Sequence, residues 1–499
     1  MLKTIITREF LDNIFNLRFM IGLVLCIIVT IACIMILAHD YQKELADYNL
    51  RVNLQDEFLR NYAYQDALFR LIRQQKPPER FRTLIIGISG DENVESFDDN
   101  PLPILFPPFD FLFIVTIIMS MLAILFSYDT ISGERQSGSL RLVIANSISR
   151  TKILFGKFIG GTASLLIPFI LSLMVGGLYI SINPSIQWDG SAWAEFGLLT
   201  AASVTFITLF YLLGLMISTF SRYPATSILN CLFLWVLLIL VIPNMCPHIS
   251  AQLCRIPSIK EIERKASEIA ARATHTAREY MGESVKRFRI NYGELFSEFE
   301  SMKFGGIGYF YVGGFSIDVD PGIHQEAALQ RAAVDPQFKA MMDAFRKEVA
   351  KATEERVRIN RESKKLWKDL ETKAALQTKL AKNLACISPF ANFVYVARDL
   401  TGTGLRSLEY FEQVKDEYSG PYGWIWTYVN KKAQEAQKND PKFTRASFLD
   451  LGDYPRFEFK EEALKDKLGG VLPYWGILVL FNVVFFVGSF AGFMRYDVR

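Results

Sequence analysis

Few side chains in this sequence are spaced for covalent chemistry. His275 and Glu279 stand four apart in a stretch with helical periodicity, a spacing that puts two metal ligands on one helix face, but one imidazole and one carboxylate make only half a site. Asp318, Asp320 and His324 could hold a cation, or could serve as turn chemistry ahead of Pro321-Gly322. Cys246 and Cys254 flank a short segment after an apolar run and could pair on an oxidising side of a membrane, leaving Cys386 single. Cys26, Cys33 and Cys231 sit inside apolar runs as packing residues. Gly156-Lys157 comes nearest to the end of a phosphate-binding loop, but Phe158 follows it and position 151 is not glycine, so no nucleotide cradle is expected in this chain. There is no H-E-x-x-H, no C-x-x-C, and only four histidines. No metal, no cofactor and no enzymatic activity are expected of the chain itself.

The pattern that remains is contact chemistry. A loop from Ser127 to Lys157 carries Arg135, Arg141, Arg150, Lys152 and Lys157 between two long apolar runs. Within it Glu134 and Arg135 could present charge to a partner. Gly138 and Ser139 open a short apolar patch of Leu140, Leu142, Val143 and Ile144. An amphipathic helix over Ser137–Asn146 would lie on the membrane face, with Leu140, Leu142 and Val143 as an apolar plug able to receive force from a soluble protein. Asn230 and Asn482 lie inside apolar runs, where an amide is costly unless it faces protein or a cavity. They would join helices, or mark an intramembrane path or a dimer seam.

These residues need a membrane scaffold to hold them. The chain has 499 residues, 51% of them hydrophobic, and a mean hydropathy of +0.18, so apolar character is gathered into blocks rather than spread evenly. Six blocks reach bilayer length: 20–38, 109–126, 158–180, 194–217, 225–242 and 471–494. The first reads as a retained span rather than a cleaved signal, because its apolar core is of full length and no A-x-A site follows. Lys3, Arg8 and Arg18 precede it, while Asp40, Glu44 and Asp47 follow. The basic bias places residues 1–19, the 127–157 loop, the 218–224 turn and the tail 495–499 in the cytoplasm, with 39–107 and 244–470 outside. The net charge of +3 is too small and dispersed for nucleic acid.

The larger outer region reads as mainly helical. Ile259, Ile262, Ala266, Ile269, Ala273 and Ala277 recur at helical spacing behind a capping pattern at Ser258 and Glu261. A second helix begins near Pro336 with Phe338, Met342, Phe345, Val349, Ala352 and Ile359 on one stripe, and could continue through Leu366, Leu370, Leu376, Leu380 and Leu384. Glycines around the aromatic run 307–312 suggest a short strand or hairpin. Ser388–Leu400 is apolar but too short to span, and would lie on the membrane or pack on the helical base; Thr401–Gly404 would end it. The expected class is therefore an all-α polytopic membrane protein with six spans and a large helical outer domain carrying a small β element.

The loop also resembles that of ABC-2 type transporter permeases. Family members show E-R-x-x-G-[ST]-L followed by S-R-x-x-x-x-x-G-K, and here Glu134, Arg135, Gly138, Ser139 and Leu140 stand in the first pattern, Ser149, Arg150, Gly156 and Lys157 in the second. The amphipathic opening Leu2–Phe19, the basic C-terminus and the six-span arrangement are similar too. A bacterial subgroup with a large insert before the last span shares the S-P … D-L-x-G-T-G segment at Ser388–Gly404. The resemblance implies a bacterial inner-membrane permease subunit that works with an ABC-type ATPase subunit, which would bind the ATP and Mg, and with a second permease copy or paralogue forming a dimer. Membrane lipids and an extracytoplasmic protein are further expected partners. The function implied is ATP-coupled export or extraction of a substrate. The alternative is mechanical or signal transduction to an outer partner without transport.

Overall fold

The computed structural model describes residues 2–61, 74–87, 109–145, 149–186, 188–301, 311–312, 315–316, 325–419, 423–440, 448–451, 453–454 and 456–495. Six helices in it are long and apolar enough to cross a membrane: Leu17–Phe58, Phe111–Ser137, Arg150–Ile182, Gly190–Phe220, Pro224–Leu253 and Leu464–Met494. The fourth is central. In its second half Leu209, Phe210, Tyr211, Leu212, Leu213 and Leu215 bury on all of its faces, which is how an element apolar all round comes to sit inside a bundle. The fifth and sixth lie at the periphery, with Leu229, Phe233, Leu480 and Val483 turned outward, as suits helices whose outer face meets lipid.

The first span outruns its apolar block. Residues 39–58 contain neither Gly nor Pro, so nothing stops the helix where the hydrocarbon-matching stretch ends. The polar extension is held at its far end, where Asp56 accepts from Tyr454 and pairs with Arg456 at 2.6 Å. Likewise the fifth helix continues past 242 to Leu253, through a π-helical turn at Leu237–Val241.

The insert stands on this bundle. The helical stretch Ile259–Ser301, kinked at Gly293 (φ 47°), and the helix Pro336–Ala385 form a hairpin. Ser258 caps the first, accepting from Glu261 N at 3.2 Å. Asp335 caps the second, accepting from Gln337 N at 2.8 Å, with Pro336 in the first turn where its missing N–H costs nothing. The hairpin has its own core of Met281, Phe288, Phe296, Phe338, Met342 and Phe345, separate from the membrane core. Two-residue strands Tyr311–Val312 and Phe315–Ser316 pair antiparallel between the hairpin helices, a minor addition to an all-α fold. Asp318, Asp320 and His324 lie outside the described residues.

Pro389–Leu400 forms a short helix against the fourth and sixth spans, where Phe393 stacks on Phe206 at 4.7 Å. Gly402, at φ 68°, lets the chain turn after it. Helices Leu405–Ser419 and Trp424–Asn439 then gather a small core of Tyr418, Ile425 and Val429 before the last span.

The Cys246–Cys254 pairing that an oxidising side would allow does not form: both thiols are free. Cys246 lies inside helix Ile242–Leu253 and Cys254 caps its end. Eight positions at 1.5 Å rise put them roughly 12 Å apart along the axis, beyond disulfide reach.

Candidate functional site

The basic loop folds into two short helices rather than one. Ser132–Ser137 ends at Gly138, whose φ of 77° is the left-handed conformation glycine adopts without strain, and Ser139–Ala145 follows. The turn fixes the angle between them. Ser218 Oγ accepts from Ile131 N and Ser132 N at 3.1 and 3.0 Å, which ties the loop to the end of the fourth span.

Glu134 and Arg135 are both engaged within the chain. Arg135 donates to the carbonyls of Ser221 and Thr219 at 2.9 and 3.0 Å. It thereby satisfies backbone acceptors where the fourth span ends. Glu134 Oε1 accepts from Lys157 Nζ at 2.8 Å. Lys157 also donates to both carboxylate oxygens of Glu9, at 3.0 and 3.2 Å, and its side chain is 4% exposed. One ammonium thus joins the N-terminal helix Leu2–Ile14, the loop and the third span. Burial pushes the Glu9 carboxyl above its ordinary value, and the Lys157 ammonium works against that shift.

Glycines on the third span let the N-terminal helix come this close. A Cβ on Gly156 would stand 2.5 Å from Ile5 Cγ2, and one on Gly160 would stand 2.8 Å from the Ile6 carbonyl oxygen. The Gly-x-x-x-Gly spacing turns both toward the same helix. Beside it, Arg18 donates to Asp129 at 2.9 Å and to Tyr128 Oη at 2.9 Å, pinning the first span to the loop's start.

These contacts sort the expected coupling residues. Leu140 is fully buried in the chain's own core and so is not part of an outward plug. Val143 is half-buried against that core. Leu142 is 71% exposed, and Arg141 beside it is exposed as well. Ser139 and Gly138 are half-buried at the turn. The roles of Glu9 and Lys157 do not follow from sequence reading. The available signal was a lysine at the mouth of an apolar run, with no charged or hydroxyl side chain on its own helix nearer than Lys152 and Thr162.

The two intramembrane asparagines separate. Asn482 donates to Thr205 O at 3.0 Å and to Leu478 O at 2.9 Å, so it joins the fourth and sixth helices. Asn230 lies on the exposed face of the fifth, between Leu229 and Phe233. His275 Nδ1 stands 3.8 Å from Glu279 on an exposed face, and no cluster of three or more metal-ligating side chains occurs among the described residues.

A second ion cluster sits at the insert end. Lys467 Nζ donates to Glu195 at 2.9 Å and to Glu461 at 3.4 Å. Arg80 takes Glu461 from two sides at 3.1 and 2.8 Å and reaches Asp189 at 2.8 Å. Burial opposes ionisation of Glu461, but Arg80 and Lys467 outweigh it and hold the carboxyl below its ordinary 4.5.

Similar proteins are permeases. A stretch of 122 residues, 24% of this chain, is 25% identical to a protein described as a probable ABC transporter permease protein NosY of Pseudomonas aeruginosa, and covers 36% of that protein. A stretch of 69 residues, 14% of the chain, is 32% identical to the NosY of Stutzerimonas stutzeri, described likewise, and covers 25% of it. The matches thus span about a third and a quarter of those relatives. The model of a family described as ABC-2 family transporter protein matches residues 3–498. With six spans, the basic loop motif and a match over nearly its whole length, the chain belongs to the ABC-2 family of transporter permeases.

Proposed function

We propose that this chain is the membrane subunit of an ATP-driven transporter, and that its loop end receives force from a separate ABC-type ATPase. The loop end faces the cytoplasm in this reading, since Arg141, Lys152 and Arg222 crowd it and basic residues stay on that side. ATP and Mg are bound by the ATPase. A second permease chain, identical or paralogous, completes the unit. Asn230 on the exposed face of the fifth helix would meet it. The family match supports export or extraction of a substrate as the task of that unit, and an extracytoplasmic protein would be met through the insert.

One observation carries the coupling assignment. Leu142 and Arg141 project from a short helix whose base is fixed by Leu140, Arg135 and the Glu134–Lys157 pair. An exposed apolar anchor next to a cation, on a rigid support, suits an interface that must hold while force passes through it. Glu134 and Arg135 then position the contact rather than make it. Charge reversal at those two residues would disturb the loop itself. The cleaner test is Leu142→Glu with co-purification in mild detergent. The expected result is a P-loop ATPase recovered stoichiometrically with the wild type and reduced at least about tenfold by the variant, with the variant's thermal stability within about 0.5 kcal/mol of wild type. Undiminished recovery would move the coupling surface elsewhere. No ATPase with the wild type would end the transporter reading.

A further inference from the structure

The spans contain two π-helical turns, at Ile114–Met119 in the second and Leu237–Val241 in the fifth. Such turns inside α-helices interrupt the hydrogen-bond ladder and often mark working parts. The fifth-helix turn has a visible cause. Pro243 follows it and has no N–H. Ile242 N–H reaches back to Leu237 O, a five-residue step. The Leu238 carbonyl therefore loses both of its usual helical donors: Ile242 has given its proton elsewhere, and Pro243 has none to give. In an apolar span, where water does not supply a donor, that acceptor must be satisfied.

Ser388 satisfies it. Its hydroxyl donates to Leu238 O. The same oxygen accepts from Phe390 N at 3.1 Å and Ala391 N at 3.5 Å, as the cap of helix Pro389–Leu400. Asn392 closes the turn by donating to Cys386 O and Ser388 O at 2.6 and 2.8 Å. Ser388 follows closely on the long insert helix Pro336–Ala385. On the other side of the bulge, Trp235 Nε1 donates to Ser120 Oγ at 2.8 Å in a buried contact. Ser120 in turn donates to Thr116 O inside the second span's π-turn. Three irregular pieces of backbone are thus joined in series by side chains.

We propose that Ser388 is a positioning residue that fastens the foot of the insert to the π-turn of the fifth span, and that Trp235 and Ser120 carry that constraint to the second. The insert and these two spans then move as one mechanical unit. Its use in the transport cycle rests on the permease reading above; the linkage itself does not.

Amide hydrogen exchange of the full-length chain in mild detergent tests the linkage. In Ser388→Ala, exchange should rise by about tenfold in the fifth helix around Leu237–Val241 and also in the second around Ile114–Met119, with Arg150–Ile182 unchanged and Ser388→Thr restoring protection. Trp235→Phe should raise exchange in the second span alone, and it carries the test if Ser388→Ala fails to fold. An increase confined to Pro389–Leu400, or second-span protection untouched by Trp235→Phe, would overturn the proposal. In the complex with its ATPase, nucleotide should alter protection of Pro336–Ala385 in wild type and not in Ser388→Ala. Failure to recover an ATPase would remove the permease reading, while the exchange pattern of the chain alone would still decide the linkage.

Discussion

Each end of the membrane bundle buries a lysine between two glutamates, and the two ends use it differently. At the loop end Lys157, 4% exposed, holds Glu9 and Glu134. At the insert end Lys467, 3% exposed, holds Glu195 and Glu461. The second site adds Arg80, which grips Glu461 from two sides and also reaches Asp189. The first has one ammonium for two carboxylates, and the elements it joins include a separate amphipathic helix whose residues are at most partly buried. A single cation shared by two anions on different elements is a joint that opens when any one member shifts. A bidentate guanidinium in addition makes a clamp. The loop end is built to respond, and the insert end to hold.

Removing each lysine is the strongest way to break that contrast. Lys157→Met would leave Glu9 and Glu134 facing each other without their shared cation, and stability should fall by about 3–5 kcal/mol. Lys467→Met would strand Glu195 but leave Glu461 on Arg80, so the loss should sit at the lower end of that range. Thermal unfolding in detergent reads both. Adding Glu195→Gln to Lys467→Met should recover part of the loss, since no uncompensated charge then remains buried. Equal losses at the two lysines would erase the distinction.

A smaller effect sharpens it. Gly160→Leu would drive a side chain into the Ile6 backbone and Glu9 Cβ. Overpacking of this kind costs about 1–3 kcal/mol. The N-terminal helix should detach and take Glu9 away from Lys157, and, once undocked, should loosen enough for trypsin to cut at Arg8, whose side chain is already exposed in the docked helix. The insert-end cluster should be unaffected. Resistance of Arg8 to cleavage would mean that the helix is held by more than the glycine face and the lysine.

The spans are legible in the sequence because apolar runs of bilayer length have few other fates in a chain this charged elsewhere. Caps at Ser258 and Asp335 are legible as local chemistry, the first from its Ser–Glu spacing and the second from Asp-Pro itself, and so is the end of the short helix at Gly402. The ion clusters are not. Glu9 and Lys157 lie 148 positions apart, Glu195 and Lys467 lie 272 apart, and no local periodicity pairs residues over such distances. The loop motif is patterned, but with roles inverted from those its residue types suggest: Glu134, Arg135 and Leu140 face inward and Leu142 outward. One residue of rotation on a helix moves a side chain by about 100°, and only the packed structure says which way the helix turns. Ser388 is visible as part of S-P, but its carbonyl partner is hidden in a span whose sequence reads as regular helix.

Acidification should produce the smallest effect and the sharpest contrast, because the two ends respond with opposite sign. Glu461 is held below its ordinary 4.5 in the folded protein. The unfolded chain therefore takes up the proton first as pH falls, and the clamp's contribution is present above that value and lost below it. Glu9 is held above its ordinary value by burial. Its contribution is present at pH below that ordinary value and is lost as pH rises through its folded value. Pepsin digestion at successive pH values below about 5 should thus cut first around the segment carrying Glu461, while the N-terminal helix stays docked. Arg80→Gln should bring insert-end cleavage to a higher pH, as the carboxyl loses the cation that lowered it. Release of the N-terminal helix before the insert end would overturn the opposite shifts assigned to Glu9 and Glu461.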